Sequence, residues 1–150
     1  INKERFFKIL WKLDPSLFMV VNRIAIINSE KEFKNLMDEL HGYCFTDYPG
    51  TSRLGEHWFN ESCVVIFMEA IRNVVKEEME IWPYTNELQE LNRAFWQTIV
   101  HELRHTMQDN PLFENKYEAM SREERERDAE NYCREIFENI VVCYDYCVIS

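Results

Sequence analysis

The sequence predicts an α+β domain, and three observations carry that reading. Two runs, "LFMVVNRIAII" at residues 17–27 and "CVVIFME" at 63–69, are dense in aliphatic and β-branched residues, as buried strands are. Other segments repeat their apolar residues at helical spacing. Two capping boxes, Ser29 with Glu32 and Ser121 with Glu124, mark helix starts, because each serine can accept from the amide three residues on while the glutamate reaches back. At 150 residues, with 46% hydrophobic and 14% aromatic content, the chain has the length of one domain, 1–150, with material for its own core.

The elements follow in order. In "NKERFFKILWKL", residues 2–13, Phe6, Phe7, Leu10 and Leu13 share helical spacing and Pro15 stops the helix. The first strand is expected over 17–27. Ser29 then opens a helix to about residue 40, closed by His41 and Gly42. Residues 42–59 are turn-rich with short strand character, and the second strand, 63–69, runs into a short helix, "AIRNVVKEEME". Trp82-Pro83 breaks that helix before a long one from about Asn86 to Gln108. The last helix starts at Ser121 and runs to about Val141, leaving "CYDYCVIS" as strand or tail.

A net charge of −10, with acids concentrated at Glu77, Glu78 and Glu80 and between Glu114 and Glu138, argues against nucleic acid as a partner, since no Lys/Arg cluster offsets it. No apolar run is long enough to span a bilayer, so no membrane partner is expected either. The five cysteines are odd in number and form no CxxC pair, which suits reduced thiols in a cytoplasmic protein. Cys143 and Cys147 lie one helical turn apart, a spacing that metal ligands share with ordinary buried cysteines. The chain opens on Ile1 rather than Met, which leaves room for a native segment before it.

The chemistry concentrates in "VHELRH", residues 100–105. Positions i and i+4 of a helix share a face, so the imidazoles of His101 and His105 can converge on one point, the bite of a tetrahedral zinc ion. Glu102 is turned a residue further round. It cannot join as a ligand but can lean over the open coordination position and take a proton from an attacking water, the HExxH arrangement. Phe95, Ile99 and Leu103 form the apolar stripe of the same helix and place both histidines on another face.

Zinc needs a third protein ligand. On the last helix Ala129, Cys133, Ile136 and Ile140 define a buried stripe, and Glu126 lies at its N-terminal end, where a core-facing carboxylate is costly unless a cation meets it. Asp128 is the rival, expected to project away from the stripe. Glu130, one turn on from Glu126, is placed to orient an imidazole through its other ring N–H, or else is a solvated acid.

"HELRH" followed after twenty residues by "ERDAENY" resembles the gluzincins, zinc metallopeptidases whose third ligand is a glutamate on a later helix. The compact length is similar to the minigluzincins and to small metallopeptidase-like proteins of bacteria and their phages. The resemblance covers roughly residues 60–140 and implies a zincin-like fold, a bound Zn2+, Glu102 as general base, and a peptide or protein substrate. It also implies that "CVVIFME" is an edge strand at the lip of the cleft, where an extended peptide adds to the sheet. A donor to the oxyanion is needed besides zinc. Tyr117, between the two zinc helices, is the first candidate, with Tyr132, His57 and Arg104 behind it. Two other readings stay open: a zinc-stabilised interaction protein without turnover, and a zinc hydrolase of a non-peptide amide. An intact Glu102 favours an enzyme, because a purely structural site has no use for the base.

Overall fold

Asn2 opens the first helix by accepting the Arg5 amide on its side chain at 3.0 Å. The computed structural model describes residues 1–40, 47–58, 62–83, 85–140 and 146–150. Helix α1, Lys3–Leu13, buries Phe6 and Leu10 one turn apart. Asp14 ends it, and its carboxylate accepts from both the amide (3.0 Å) and the hydroxyl (2.7 Å) of Ser16, starting a 3-10 turn over Pro15–Met19. This corrects the expected strand at 17–27. Pro15 pre-sets the turn and Leu17 and Val20 are buried from it, so only β1, Arg23–Ile27, is extended. Pairing starts where the amides of Asn22 and Arg23 both reach the Ser62 carbonyl, at 2.8 and 3.4 Å.

Helix α2, Glu30–Glu39, is capped by Ser29, whose hydroxyl accepts the Glu32 amide at 3.3 Å. The Glu32 carboxylate reaches back one residue further than a capping box requires, accepting from the Asn28 amide at 2.7 Å. The expected stop at His41 and Gly42 lies outside the described residues. Strand β2 is Gly55–Trp58 and β3 is Cys63–Phe67, followed without a turn by α3, Met68–Ile81. Helix α4, Glu87–Gln108, is capped by Asn86. After a 3-10 turn at Pro111–Phe113 and the short α5, Glu114–Tyr117, the box at Ser121 closes in both directions, at 2.6 and 3.2 Å, and opens α6, Arg122–Ile140.

The sheet order is β1-β3-β2, with β1 parallel and β2 antiparallel to β3. Strand β3 is therefore central, and the expectation that "CVVIFME" forms the edge is wrong. Every residue from Cys63 to Phe67 is buried, with Val64 and Ile66 facing one core and Cys63, Val65 and Phe67 the other. Such an unbroken apolar run is what a strand covered on both faces needs. The edge on the α4 side is β2, with His57 opposite Val64.

Residues 146–150 are neither strand nor helix but a strap pinned to α4. The fully buried Asn92 carboxamide saturates itself there: Oδ1 accepts from the amides of Val148 (2.7 Å) and Ile149 (2.9 Å), while Nδ2 donates to the carbonyls of Ile149 and Leu88. Trp96 adds a bond from its indole N–H to the Tyr146 carbonyl at 2.7 Å. Among the described residues no helix is long and apolar enough to cross a membrane.

Candidate metal centre

The apolar stripe of α4 is as the spacing predicts: Phe95, Ile99 and Leu103 are fully buried. That anchoring fixes the roll of the helix and so where its histidines point. His101 and His105 sit with ring centroids 4.7 Å apart and bring their Nε2 atoms to 3.0 Å. From α6 the Glu126 carboxylate arrives between them, Oε2 at 3.4 Å from His101 Nε2 and Oε1 at 3.1 Å from His105 Nε2. One ligand atom from each of the three residues falls within 4.8 Å of the others.

Whether this donor set fits zinc can be tested on its spacing. Bonds of about 2.0–2.2 Å at a tetrahedral angle put neighbouring ligand atoms roughly 3.3–3.5 Å apart. The three contacts, at 3.0–3.4 Å, lie close to that spacing. The protonation of His105 agrees as well. Gln108 donates from Nε2 to the Arg125 carbonyl (2.9 Å) and to Asp128 Oδ2 (2.8 Å), which fixes its amide and turns Oε1 toward His105 Nδ1 at 2.9 Å. Oε1 only accepts, so the ring proton of neutral His105 sits on Nδ1 and the Nε2 lone pair faces the other two donors. Two imidazole nitrogens and a carboxylate oxygen, converging in a half-buried place, are what a divalent cation of zinc's type binds.

Behind this set lies a polar buttress that includes the residue weighed as a rival ligand. Asp128 does not project away from the helix's buried side. It is half-buried and takes a bidentate pair from Arg104, Nε to Oδ2 at 2.8 Å and Nη2 to Oδ1 at 3.1 Å, besides the bond from Gln108. Burial alone would raise the Asp128 carboxyl; Arg104 and Gln108 outweigh it and hold it below its ordinary range. Glu130 is exposed at the wall of the cleft, and the partner that His105 uses is Gln108.

Glu102 is nearly enclosed, its side chain 12% exposed. On one side β2 passes very close at Gly55, where an added Cβ would meet Glu102 Cγ at 2.9 Å and Thr98 Cγ2 at 2.8 Å. On the other side stands His57 of the same strand, its Nδ1 3.7 Å from Glu102 Oε2 and its ring stacked on His105 at 5.2 Å between centroids. His57 Nε2 pairs with Asp109 Oδ2 at 2.8 Å, and Arg125 donates to Asp109 Oδ1 at 2.6 Å. Burial pushes the His57 imidazole pKa down, but the two flanking carboxylates, Glu102 and Asp109, more than reverse this and raise it.

Of the four side chains considered as oxyanion donors, His57 alone stands beside Glu102. Tyr117 is corrected: it is fully buried in the apolar core, its hydroxyl has no hydrogen-bond partner among the described residues, and it does not line the cleft. Tyr132 donates to Asp14, and Arg104 lies over the Tyr132 ring at 4.3 Å while bound to Asp128. The cleft itself, about 840 Å3, follows α4 from Arg93 to Glu102 between β2 and α6, with Leu54, Ala94 and Phe137 supplying apolar wall. Cys133 borders it, and its thiol, pushed up to about 11 by burial, donates to the Gln97 carbonyl. Of the cysteine pair one turn apart, Cys147 is half-buried and Cys143 lies outside the described residues.

Gln108, Asp109 and Gly55 were not singled out by the sequence reading. Gln108 had a signal, since it sits at i+3 from His105 on the same helix face; Gly55 and His57 reach the site only through strand pairing. No family model matches the chain, and neither curated proteins nor solved structures give a match.

Proposed function

We propose that the protein is a zinc-dependent peptidase of the gluzincin type, with His101, His105 and Glu126 as metal ligands, Glu102 as general base and a zincin-like fold of the minigluzincin kind. One observation carries the reading: the two HExxH nitrogens and a carboxylate from a later helix converge at ligand spacing beside a partly enclosed glutamate. When bound, zinc supplies Lewis acidity that acidifies a water and polarises a carbonyl. The chain's own residues do the rest. Gln108 keeps the His105 proton on Nδ1 and its lone pair directed at the metal position. Glu102, walled by Gly55 and His57, takes the proton of the attacking water and returns it to the departing nitrogen. His57, with Nε2 held by Asp109 at 2.8 Å and Nδ1 3.7 Å from Glu102, is the side chain assigned to donate from Nδ1 to charge developing on the substrate oxygen.

The antiparallel edge strand β2 borders the cleft and offers main-chain groups to an extended peptide, the part first assigned to β3. Cys133 and Cys147, in no disulfide among the described residues, support a reducing, cytoplasmic setting. The test is Glu102→Gln: it should keep one zinc per chain while lowering hydrolysis of an unfolded protein substrate by ~100-fold or more. Undiminished hydrolysis in that variant excludes the mechanism. Zinc bound with no hydrolysis by the unaltered protein on protein substrates, or with hydrolysis only of small amides, favours the binding or amidase alternatives.

A further inference from the structure

Away from the metal centre, the outer side of α1 and the 3-10 turn after it presents an apolar surface that the fold leaves uncovered. Phe7, Trp11, Phe18 and Met19 are 51, 59, 36 and 66% exposed. With Ile1 they make five of the nine large hydrophobics exposed among the described residues, all within the first nineteen positions. The rings are gathered: Phe18 packs against Trp11 at 5.6 Å and Phe7 at 6.1 Å between centroids. Gathered exposed rings mark a surface that something covers.

Charge says what. The chain is strongly acidic, yet α1 carries Lys3, Arg5, Lys8 and Lys12 against the single acid Glu4. Lys8 and Lys12 border the same shallow depression as Phe7, Trp11 and Phe18. Lys8 is paired only with Glu4, in an exposed i,i+4 contact, and Lys3 and Lys12 make no ion pair among the described residues. Basic side chains interleaved with tryptophan and phenylalanine on the outside of a helix match the boundary between lipid headgroups and acyl chains, where aromatic rings partition and lysines meet anionic headgroups.

We infer that this face docks on the surface of an anionic lipid bilayer. The inference goes beyond the peptidase reading and does not depend on it. Outside α1 the chain is more acidic than the whole, so an anionic surface on balance repels the rest of the molecule and favours this face. A second copy is a poorer occupant, since a twofold contact would bring the same basic face of both copies together. Continuous with the rings is an apolar groove of about 680 Å3 walled by Phe7, Leu10, Phe18, Ile24 and Ile26, which gives acyl carbon somewhere to lie. The expectation of no membrane partner rested on the lack of a spanning run, and surface docking needs none.

The test is co-sedimentation of the full chain with vesicles of phosphatidylcholine alone and with a third of the lipid replaced by phosphatidylserine. Binding should require phosphatidylserine and weaken as salt is raised. Lys8→Gln and Lys12→Gln should each cost about 5-fold, and Phe7→Ala with Trp11→Ala about 10-fold or more. Because these side chains are exposed, the variants should melt with the unaltered protein, which is checked by circular dichroism. Absence of binding to phosphatidylserine vesicles overturns the proposal, and so does binding that the four substitutions leave unchanged. So, too, does a vesicle-free dimer that Phe7→Ala with Trp11→Ala dissociates while vesicle binding is absent, because the face then seats another copy.

Discussion

Helices α4 and α6 both contribute to the proposed metal centre, but they are held in different ways. Helix α4 is fixed by burial: Phe95, Trp96, Ile99, Val100 and Leu103 are all at most 1% exposed, and the strap at 146–150 clamps its N-terminal half through Asn92. Helix α6 buries only Ala129 fully among its described side chains; Tyr132 and Phe137 pack half-buried on the core, and polar contacts complete its hold, Asp128 to Arg104 and Gln108, Arg125 to Asp109, and Tyr132 to Asp14. The two histidines therefore stand on a rigid support. Glu126, with its side chain 49% exposed, is placed by a helix whose docking depends on charge and hydrogen bonds. The imidazole pair is thus built by the core, while the third donor is supplied by a second element that a metal would tie down.

The largest effect that could break this comparison is the exchange of roles between two neighbouring acids. Glu126→Ala should lower zinc affinity by more than ~100-fold, exceeding the 10- to 100-fold typical of an outer hydrogen-bond partner. Asp128→Ala should act mainly on folding. It leaves Arg104, 11% exposed, without its carboxylate, which costs about 2–3 kcal/mol after allowing for partial exposure and lowers Tm by roughly 5–10 °C. Competitive zinc titration and thermal melts of both variants check the split. If Asp128→Ala loses the metal and Glu126→Ala keeps it, the assignment of α6 is inverted.

A middle-sized effect belongs to Gln108. Gln108→Leu keeps the volume but removes the acceptor that holds the His105 proton on Nδ1, and with it the two bonds its amide gives to α6, so zinc affinity should fall about 10- to 100-fold with little loss of secondary structure. Affinity within 2-fold of the unaltered protein would show that Gln108 does not orient the ring. The smallest effect is the sharpest on location. Removing metal with a strong chelator should speed amide exchange in the first turns of α6 around Glu126 while leaving the buried centre of α4 protected. Equal loosening of both helices would contradict their different anchoring.

What was legible in the sequence follows the same division. Two helix starts are readable because Ser29 and Ser121 spell their caps locally, and the histidine pair because i,i+4 spacing fixes a shared face. The first strand was overcalled because β-branched density cannot tell Leu17–Val20, buried from a 3-10 turn, from extended backbone. The edge position expected of "CVVIF" came from the family layout, whereas its unbroken apolar run fits a strand buried on both faces. Tyr117 and Asp128 were misplaced because the depth of a side chain between two helices depends on packing partners far away in sequence. Gly55 and His57 reach Glu102 only through the pairing of β2 with β3, which no local pattern encodes.

Elemental analysis shows whether His101, His105 and Glu126 hold zinc. The unaltered protein, purified without added metal or chelator, should contain one zinc per chain, and His105→Ala prepared in parallel should contain less than about a tenth of that. An unaltered protein that carries no zinc and takes up none on titration, or a His105→Ala variant that retains the full equivalent, would contradict the account.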